Sequence, residues 1–263
     1  MLSFHAIGDW TSDRVRVSWV AGTRRIVPEI EALIDAAWND VLRRPGVKLF
    51  DGPMCRMESW DSTPELLWIA LSQTSYKPFL GTNIAHPELA DRYGREVMAN
   101  PVGVSPALLT ADDFLLLGRR NASVAYYPNR THPFAGALEP RDGGDLFAAV
   151  RRELFEELSF GEADIAEIRC TGIAEDLALR QPELIFRVRS TLTRSRIEAQ
   201  VHTEEHGDSV AIRAAPAAVA DSLTDPALTP VAVASLLLWG RMQFGPAWFA
   251  DARSRLSKGD LTC

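Results

Sequence analysis

The stretch Leu146-Phe-Ala-Ala-Val-Arg-Arg-Glu-Leu-Phe-Glu-Glu-Leu158 decides how the rest of the chain is read. At the roughly 100° per residue of an α-helix, Glu153, Glu156 and Glu157 stand at i, i+3 and i+4 and project together. Phe147, Val150, Leu154 and Leu158 form an apolar stripe on the other side, and the spacing predicts a helix over about 145–159. Like charges so spaced repel, each pair costing a few tenths of a kcal/mol even in solvent. A cation among them reverses that repulsion, and hard carboxylate oxygens suit Mg2+ or Mn2+. The plainer reading is a solvated acidic face with Arg151 and Arg152 as local partners, and the helix alone leaves both readings open.

The loop upstream distinguishes them. Pro133-Phe-Ala-Gly-Ala-Leu-Glu-Pro140 places Gly136 sixteen residues before Arg152. Loop and helix together resemble the Nudix box, G-x5-E-x7-R-E-U-x-E-E-x-G-U with U aliphatic or aromatic, which holds divalent metal against a diphosphate. Arg152, Glu153, Leu154, Glu156, Glu157 and Phe160 match its second half in order and spacing. The first half departs. Counted forward from Gly136 the first glutamate falls on Asp142, leaving nine residues before Arg152 instead of seven; counted back from Arg152 it falls on Gly144. A two-residue insertion accounts for both counts, with Asp142, Asp145 and Glu139 as candidates to replace that glutamate. Ser159 takes the place of the motif's late glycine.

Further segments carry the resemblance from about Ile30 to Gly245: Ile34-Asp-Ala-Ala-Trp38, Leu49-Phe-Asp-Gly-Pro53, Ser75-Tyr-Lys-Pro-Phe-Leu-Gly-Thr-Asn83, Pro101-Val-Gly-Val104, Leu109 to Arg120, and Leu228-Thr-Pro-Val-Ala232. They are similar to a divergent Nudix subfamily that hydrolyses UDP-glucose and UDP-galactose with Mg2+. The resemblance implies an α/β fold, a Nudix-type α/β/α sandwich with a mixed sheet plus an N-terminal α+β extension. It implies cleavage of a UDP-sugar to UMP and sugar 1-phosphate, with Mg2+ or Mn2+ held by Glu153, Glu156 and Glu157. Glu157 is one candidate proton acceptor, and Glu204 or Glu205 another. Arg152 is expected to pair with a loop carboxylate and so orient the site. Tyr76, Phe79, Thr82 and Asn83 are candidates to stack on and hydrogen-bond a uracil or sugar, or else form a structured turn with the two rings in the core. Arg119 and Arg120 are candidates for a phosphate clamp or a solvated turn, and Gly136 is a candidate substrate contact. Two alternatives stand beside this reading: hydrolysis of another nucleoside diphosphate derivative such as ADP-ribose, and a non-catalytic nucleotide-binding module.

Composition narrows the field further. The 263 residues are 46% hydrophobic and 24% charged, ordinary globular usage that speaks against disorder. Lys plus Arg is 28 against 35 for Asp plus Glu, a formal charge of −7 that repels a nucleic-acid backbone. Cys55, Cys170 and Cys263 lie far apart with no Cys-x-x-Cys, which predicts a reducing compartment and neither a disulfide framework nor a cysteine zinc site. Met1 to Arg16 has no signal-like apolar run, and Val231 to Trp239 falls short of a membrane span, so the expectation is cytoplasmic, with no membrane partner. His202-Thr-Glu-Glu-His206 formally matches a zinc peptidase pattern, but no apolar stripe surrounds it and Gly207 cuts it short, so it reads as a charged loop. Oligomeric state leaves no signal.

The coarse elements follow from periodicity and breaks. A helix is expected over 28–44, opened by Pro28, with strands Val15–Val20 and Leu66–Ser72 on either side. Phe114–Gly118 and Ser123–Tyr127 read as a hairpin turning at Arg119 to Asn121. A Gly/Pro-punctuated loop covers 128–144; strands follow near 166–174, 184–190 and 209–214, then helices near 230–243 and 246–256. The chain is divided on this basis into an α+β unit, residues 1–85, and a second domain, residues 86–263.

Overall fold

A mixed sheet forms the centre of the structure, a computed structural model that describes residues 2–44, 49–122, 124–201 and 206–259. Its strands are β1 (Leu2–Trp10), β2 (Val15–Trp19), β3 (Pro53–Ser62), β4 (Leu67–Ser75), β5 (Gly103–Leu109), β6 (Phe114–Arg120), β7 (Thr131–His132), β8 (Gly136–Ala137), β9 (Ile165–Asp176), β10 (Gln181–Ser190) and β11 (His206–Arg213). The larger sheet runs β1-β9-β10-β5-β6-β11, with β7 beside β6 and β8 beside β5. β5 and β10 pair in parallel and its other ladders are antiparallel. β2, β4 and β3 make a separate three-stranded sheet.

Each face of the larger sheet is covered by a helix. On one side the acidic helix, Leu146–Leu158, sets Phe147, Val150, Leu154 and Leu158 against Val104, Leu184 and Phe186. Phe147 meets Phe186 edge to face at 5.4 Å, and burying each such side chain stabilises by about 1.5–3 kcal/mol. On the other side the helix Pro230–Phe244 is apolar nearly all round, as a helix must be when it is covered on both sides. It lies between β5, β9 and β10 and the outer helix Pro246–Gly259. The layering is the α/β/α sandwich expected, with a mixed sheet. Met57, Leu67, Ile69 and Leu71 of the small sheet join the core under the acidic helix, while the helix Pro28–Leu42 buries Ile30 and Ile34 in a satellite cluster with Leu89, Val97 and Met98.

The structure differs from the sequence expectations at several places. Val124 to Tyr127 is not a strand, and Ser123 lies outside the described residues; Tyr127 has φ 51°, a left-handed conformation that a strand cannot contain. Arg119 and Arg120 consequently sit at the end of β6, paired with β11 and β7, and not in a turn. Pro53 opens β3, since proline is tolerated as a strand's first residue. The first strand of the chain, β1, belongs to the larger sheet through its ladder with β9. Among the described residues no helix is long and apolar enough to cross a membrane.

Candidate active site

The acidic helix begins at Asp145, whose carboxylate accepts hydrogen bonds from Phe147 N at 3.0 Å and Ala148 N at 2.9 Å. This capping occupies the side chain that was one candidate for the missing box glutamate. Along the helix, Glu153 and Glu157 stand one turn apart and border the apolar stripe instead of opposing it. They are only 8% and 6% exposed. The Glu156 side chain, at 44%, turns outward to Arg152 Nη1 at 3.2 Å and Arg141 Nη2 at 3.4 Å. The structure therefore brings two of the three expected ligands together and holds the third against arginines, the cations that offset the acidic face here. Among the described residues no group of three or more His, Cys, Asp or Glu is arranged to hold a metal ion.

Of the three candidates for the first box glutamate, Asp142 is the one whose two oxygens both engage Arg152. Its two oxygens accept from Arg152 Nε at 2.9 Å and Nη2 at 3.0 Å, the fork-to-fork pairing that fixes orientation as well as charge. Arg152 also donates to Ala137 O at 3.0 Å and to Glu153 Oε1 at 2.6 Å. Burial works against its charge, but Asp142 and Glu153 hold the guanidinium above its ordinary range. Gly143 and Gly144, at φ 62° and 84°, make the turn that returns the chain from Asp142 to the cap. The two-residue insertion is thus accommodated by a pair of left-handed glycines. Ser159, where the motif has glycine, caps the helix C-terminus at φ 55°.

Gly136 lies directly against the Glu153 carboxylate, and a Cβ at this position would run into it. Burial pushes the Glu153 carboxyl up to about 8, with Glu157 raising it further and Arg152 opposing. Two closely held, desolvated carboxylates beside an open backbone are oxygen donors of the kind Mg2+ or Mn2+ takes, so the residues present fit such an ion.

Beside β8 opens a cleft of about 30 Å3 whose lining includes Phe79, Ser105, Tyr126, Gly136, Gln181 and Glu183. Of the residues expected to touch substrate, Phe79 and Gly136 reach it. Tyr76 stands one ring behind, edge-on to Phe79 at 6.1 Å, and burial raises its hydroxyl's pKa. Thr82 and Asn83 are fully buried and engaged within the chain: Thr82 Oγ1 donates to Pro78 O at 2.7 Å, and Asn83 Nδ2 donates to Leu179 O at 2.9 Å. They brace the π-helical turn Leu80–Ile84. Arg119 is exposed, whereas Arg120 is buried with its guanidinium 4.7 Å from the Tyr126 ring centre. Glu204 and Glu205 lie outside the described residues.

Sequence reasoning missed Ser105, Tyr126, Gln181 and Glu183. Ser105 Oγ donates to Glu183 Oε2 at 2.9 Å, and burial pushes the Glu183 carboxyl up to about 8. The available signal was Gln181-Pro-Glu183, two polar residues on one face at the start of an apolar strand.

Loop, bidentate arginine and acidic helix on an α/β/α sandwich are the marks of a Nudix hydrolase. Comparison with known proteins is consistent with that class. The uridine diphosphate glucose pyrophosphatase NUDT22 of Bos taurus is 30% identical over 205 residues, covering 66% of this chain and 70% of the relative. Those of Mus musculus and Homo sapiens are each 29% identical, over 209 and 208 residues, covering 68% and 67% of this chain and 68% of each relative. The chain belongs to the Nudix hydrolase family of these relatives and is an enzyme of that family. No protein-family model matches it. Among solved structures, DR0079 from Deinococcus radiodurans overlaps 51% of this chain and 80% of its own at 18% identity and a TM-score of 0.40, a likeness too partial to argue from.

Proposed function

We propose that the protein hydrolyses a UDP-sugar, UDP-glucose or UDP-galactose, at its diphosphate to give UMP and a sugar 1-phosphate. The supporting observation is the buried pair Glu153 and Glu157, held against Gly136 by the Asp142–Arg152 fork beside a cleft, in a chain whose relatives are named as UDP-glucose pyrophosphatases. Glu153 and Glu157, with Glu156 turned inward, would hold Mg2+ or Mn2+. Such an ion, when bound, polarises phosphoryl oxygens and lowers the pKa of water.

The chain's own residues do the rest. The buried Glu157 takes the proton of the attacking water on its carboxylate. Arg152 is a positioning residue, because its guanidinium is committed to Asp142, Ala137 and Glu153. Gly136, with no side chain, lets the backbone lie directly against the Glu153 carboxylate. The N-terminal α+β unit, residues 1–85, lends β1 to the larger sheet and supplies Phe79 to the cleft, and residues 86–263 supply Gly136 and the acidic helix. The free, buried thiols Cys55 and Cys170 agree with a reducing, cytoplasmic setting.

A panel of UDP-glucose, UDP-galactose and ADP-ribose under one Mg2+ condition, with products separated by chromatography, tests this reading. UMP and sugar 1-phosphate from the UDP-sugars are expected. Preference for ADP-ribose, release of UDP, or binding without turnover would overturn it.

A further inference from the structure

The cleft beside β8 contains polar groups that neither the fold nor the chemistry at the acidic helix uses. Gln181 is 4% exposed and Glu183 5%, and both line it. They stand at i and i+2 on β10, so their side chains leave the same face of the strand, roughly 7 Å apart along it. The Gln181 amide makes no hydrogen bond with any described residue. The amide is therefore free to hydrogen-bond an occupant of the cleft that Gln181 lines. On Glu183, the Ser105 hydroxyl donates to Oε2.

The chemistry of the walls restricts that ligand. Glu183, whose carboxyl burial keeps protonated until about pH 8, and the Gln181 amide make this end of the cleft a set of uncharged hydrogen-bonding groups, which suits a neutral ring better than a phosphate. Phe79 and Tyr126, edge-on at 6.0 Å, supply aromatic surface, with the Arg120 guanidinium over Tyr126. The space, about 30 Å3, holds roughly two waters. It admits the edge of a flat ring more readily than a pyranose. The cleft also reaches Gly136, whose far side touches Glu153, so an occupant here is joined to the reaction centre through one residue.

We infer that this cleft is the base subsite, in which Gln181 and Glu183 read the imide edge of uracil. The amide offers a donor to a ring carbonyl, and an acceptor oxygen takes the N3–H. This inference rests on a uridine nucleotide being the substrate, and it makes Gln181 a specificity-determining residue.

Binding of UMP, CMP, AMP and glucose 1-phosphate, each titrated separately into the wild type and Gln181→Met, tests it, alongside steady-state kinetics on UDP-glucose. The wild type should prefer UMP over CMP and AMP by about tenfold or more, and Gln181→Met should lose about tenfold in UMP affinity, the scale of one hydrogen bond. KM for UDP-glucose should rise with kcat within about twofold, and glucose 1-phosphate binding should not change. A variant that loses glucose 1-phosphate instead, or one with unchanged KM and base preference, overturns the inference while UDP-sugar hydrolysis stands. A wild type that hydrolyses no UDP-sugar removes both. Should Gln181→Met fail to fold, equal wild-type binding of the three nucleotides is by itself contradictory.

Discussion

Asp142 meets Arg152 with both carboxylate oxygens, at 2.9 Å from Nε and 3.0 Å from Nη2, across nine intervening residues that include a Gly-Gly turn. A single aspartate, six residues after Gly136 and followed by a longer loop, therefore fixes the orientation of the Arg152 guanidinium. Lysine keeps the charge but cannot make the fork. Arg152→Lys is expected to lower kcat by about tenfold or more and to cost about 2 kcal/mol of stability, since Arg152 is partly solvated and a fully buried pair would cost more. Steady-state kinetics and denaturant midpoints check both; a variant with wild-type kcat would show that the fork orients nothing.

Gly136→Ala places a methyl group where the Glu153 carboxylate sits. Overpacking of this kind costs about 1–3 kcal/mol, and here displacing Glu153 should also reduce turnover sharply. Retained activity in a folded Gly136→Ala protein would separate Glu153 from the reaction.

Glu183 gives a pH signature with a defined sign. Burial raises its carboxyl from 4.5 to about 8, so across that window the folded chain holds a proton that the unfolded chain has released. The stability this contributes is complete below pH 4.5 and is lost as pH rises through about 8. Glu183→Gln cannot ionise, so its Tm should fall less than that of the wild type over about pH 5 to 9. Parallel Tm curves for the two proteins would refute the assignment.

Asp145 accepts two backbone N–H groups at the helix start. Asp145→Ala should lose about 1 kcal/mol, read as a lower urea midpoint with an unchanged slope. A slope that changes would mean the substitution does more than remove a cap.

Much of the frame was legible in residue spacing because its elements are regular. The helices Pro28–Leu42, Leu146–Leu158 and Pro230–Phe244 carry apolar faces and clear starts, and β9, β10 and β11 fall near their expected places. β1 escaped because register shifts between Phe4 and Ala6 and between Ile7 and Trp10 break its alternation, sending Phe4 and Ile7 to one core and Ala6 and Trp10 to the other. β5 escaped because Pro106 interrupts it. That proline falls between Val104, paired with β8, and Leu108, paired with β6, where neither ladder requires its missing N–H. Tyr126 and Tyr127 have strand-like side chains, yet their ring contacts and the Tyr127 bond to Asp176 Oδ2 at 2.6 Å hold them in a loop.

At the site, spacing picked out the acidic helix and offered Asp142 among the partners of Arg152. It did not show that Glu153 and Glu157 are buried while Glu156 turns out, because a helix projection gives angles and not the neighbours that Gly136, Arg141 and Asp142 provide. Gln181 and Glu183 were invisible for a related reason: β5 pairs with β10, and β8 with β5, only in the folded sheet, which brings Ser105 and Gly136 to the same cleft.

Anomalous diffraction from crystals of the protein soaked in Mn2+ tests the metal assignment most directly. Manganese density against the carboxylates of Glu153 and Glu157, with Arg152 still on Asp142, is the expected result. Ordered carboxylates with no manganese beside them, or manganese bound only elsewhere, would contradict a metal-dependent hydrolase centred on the acidic helix.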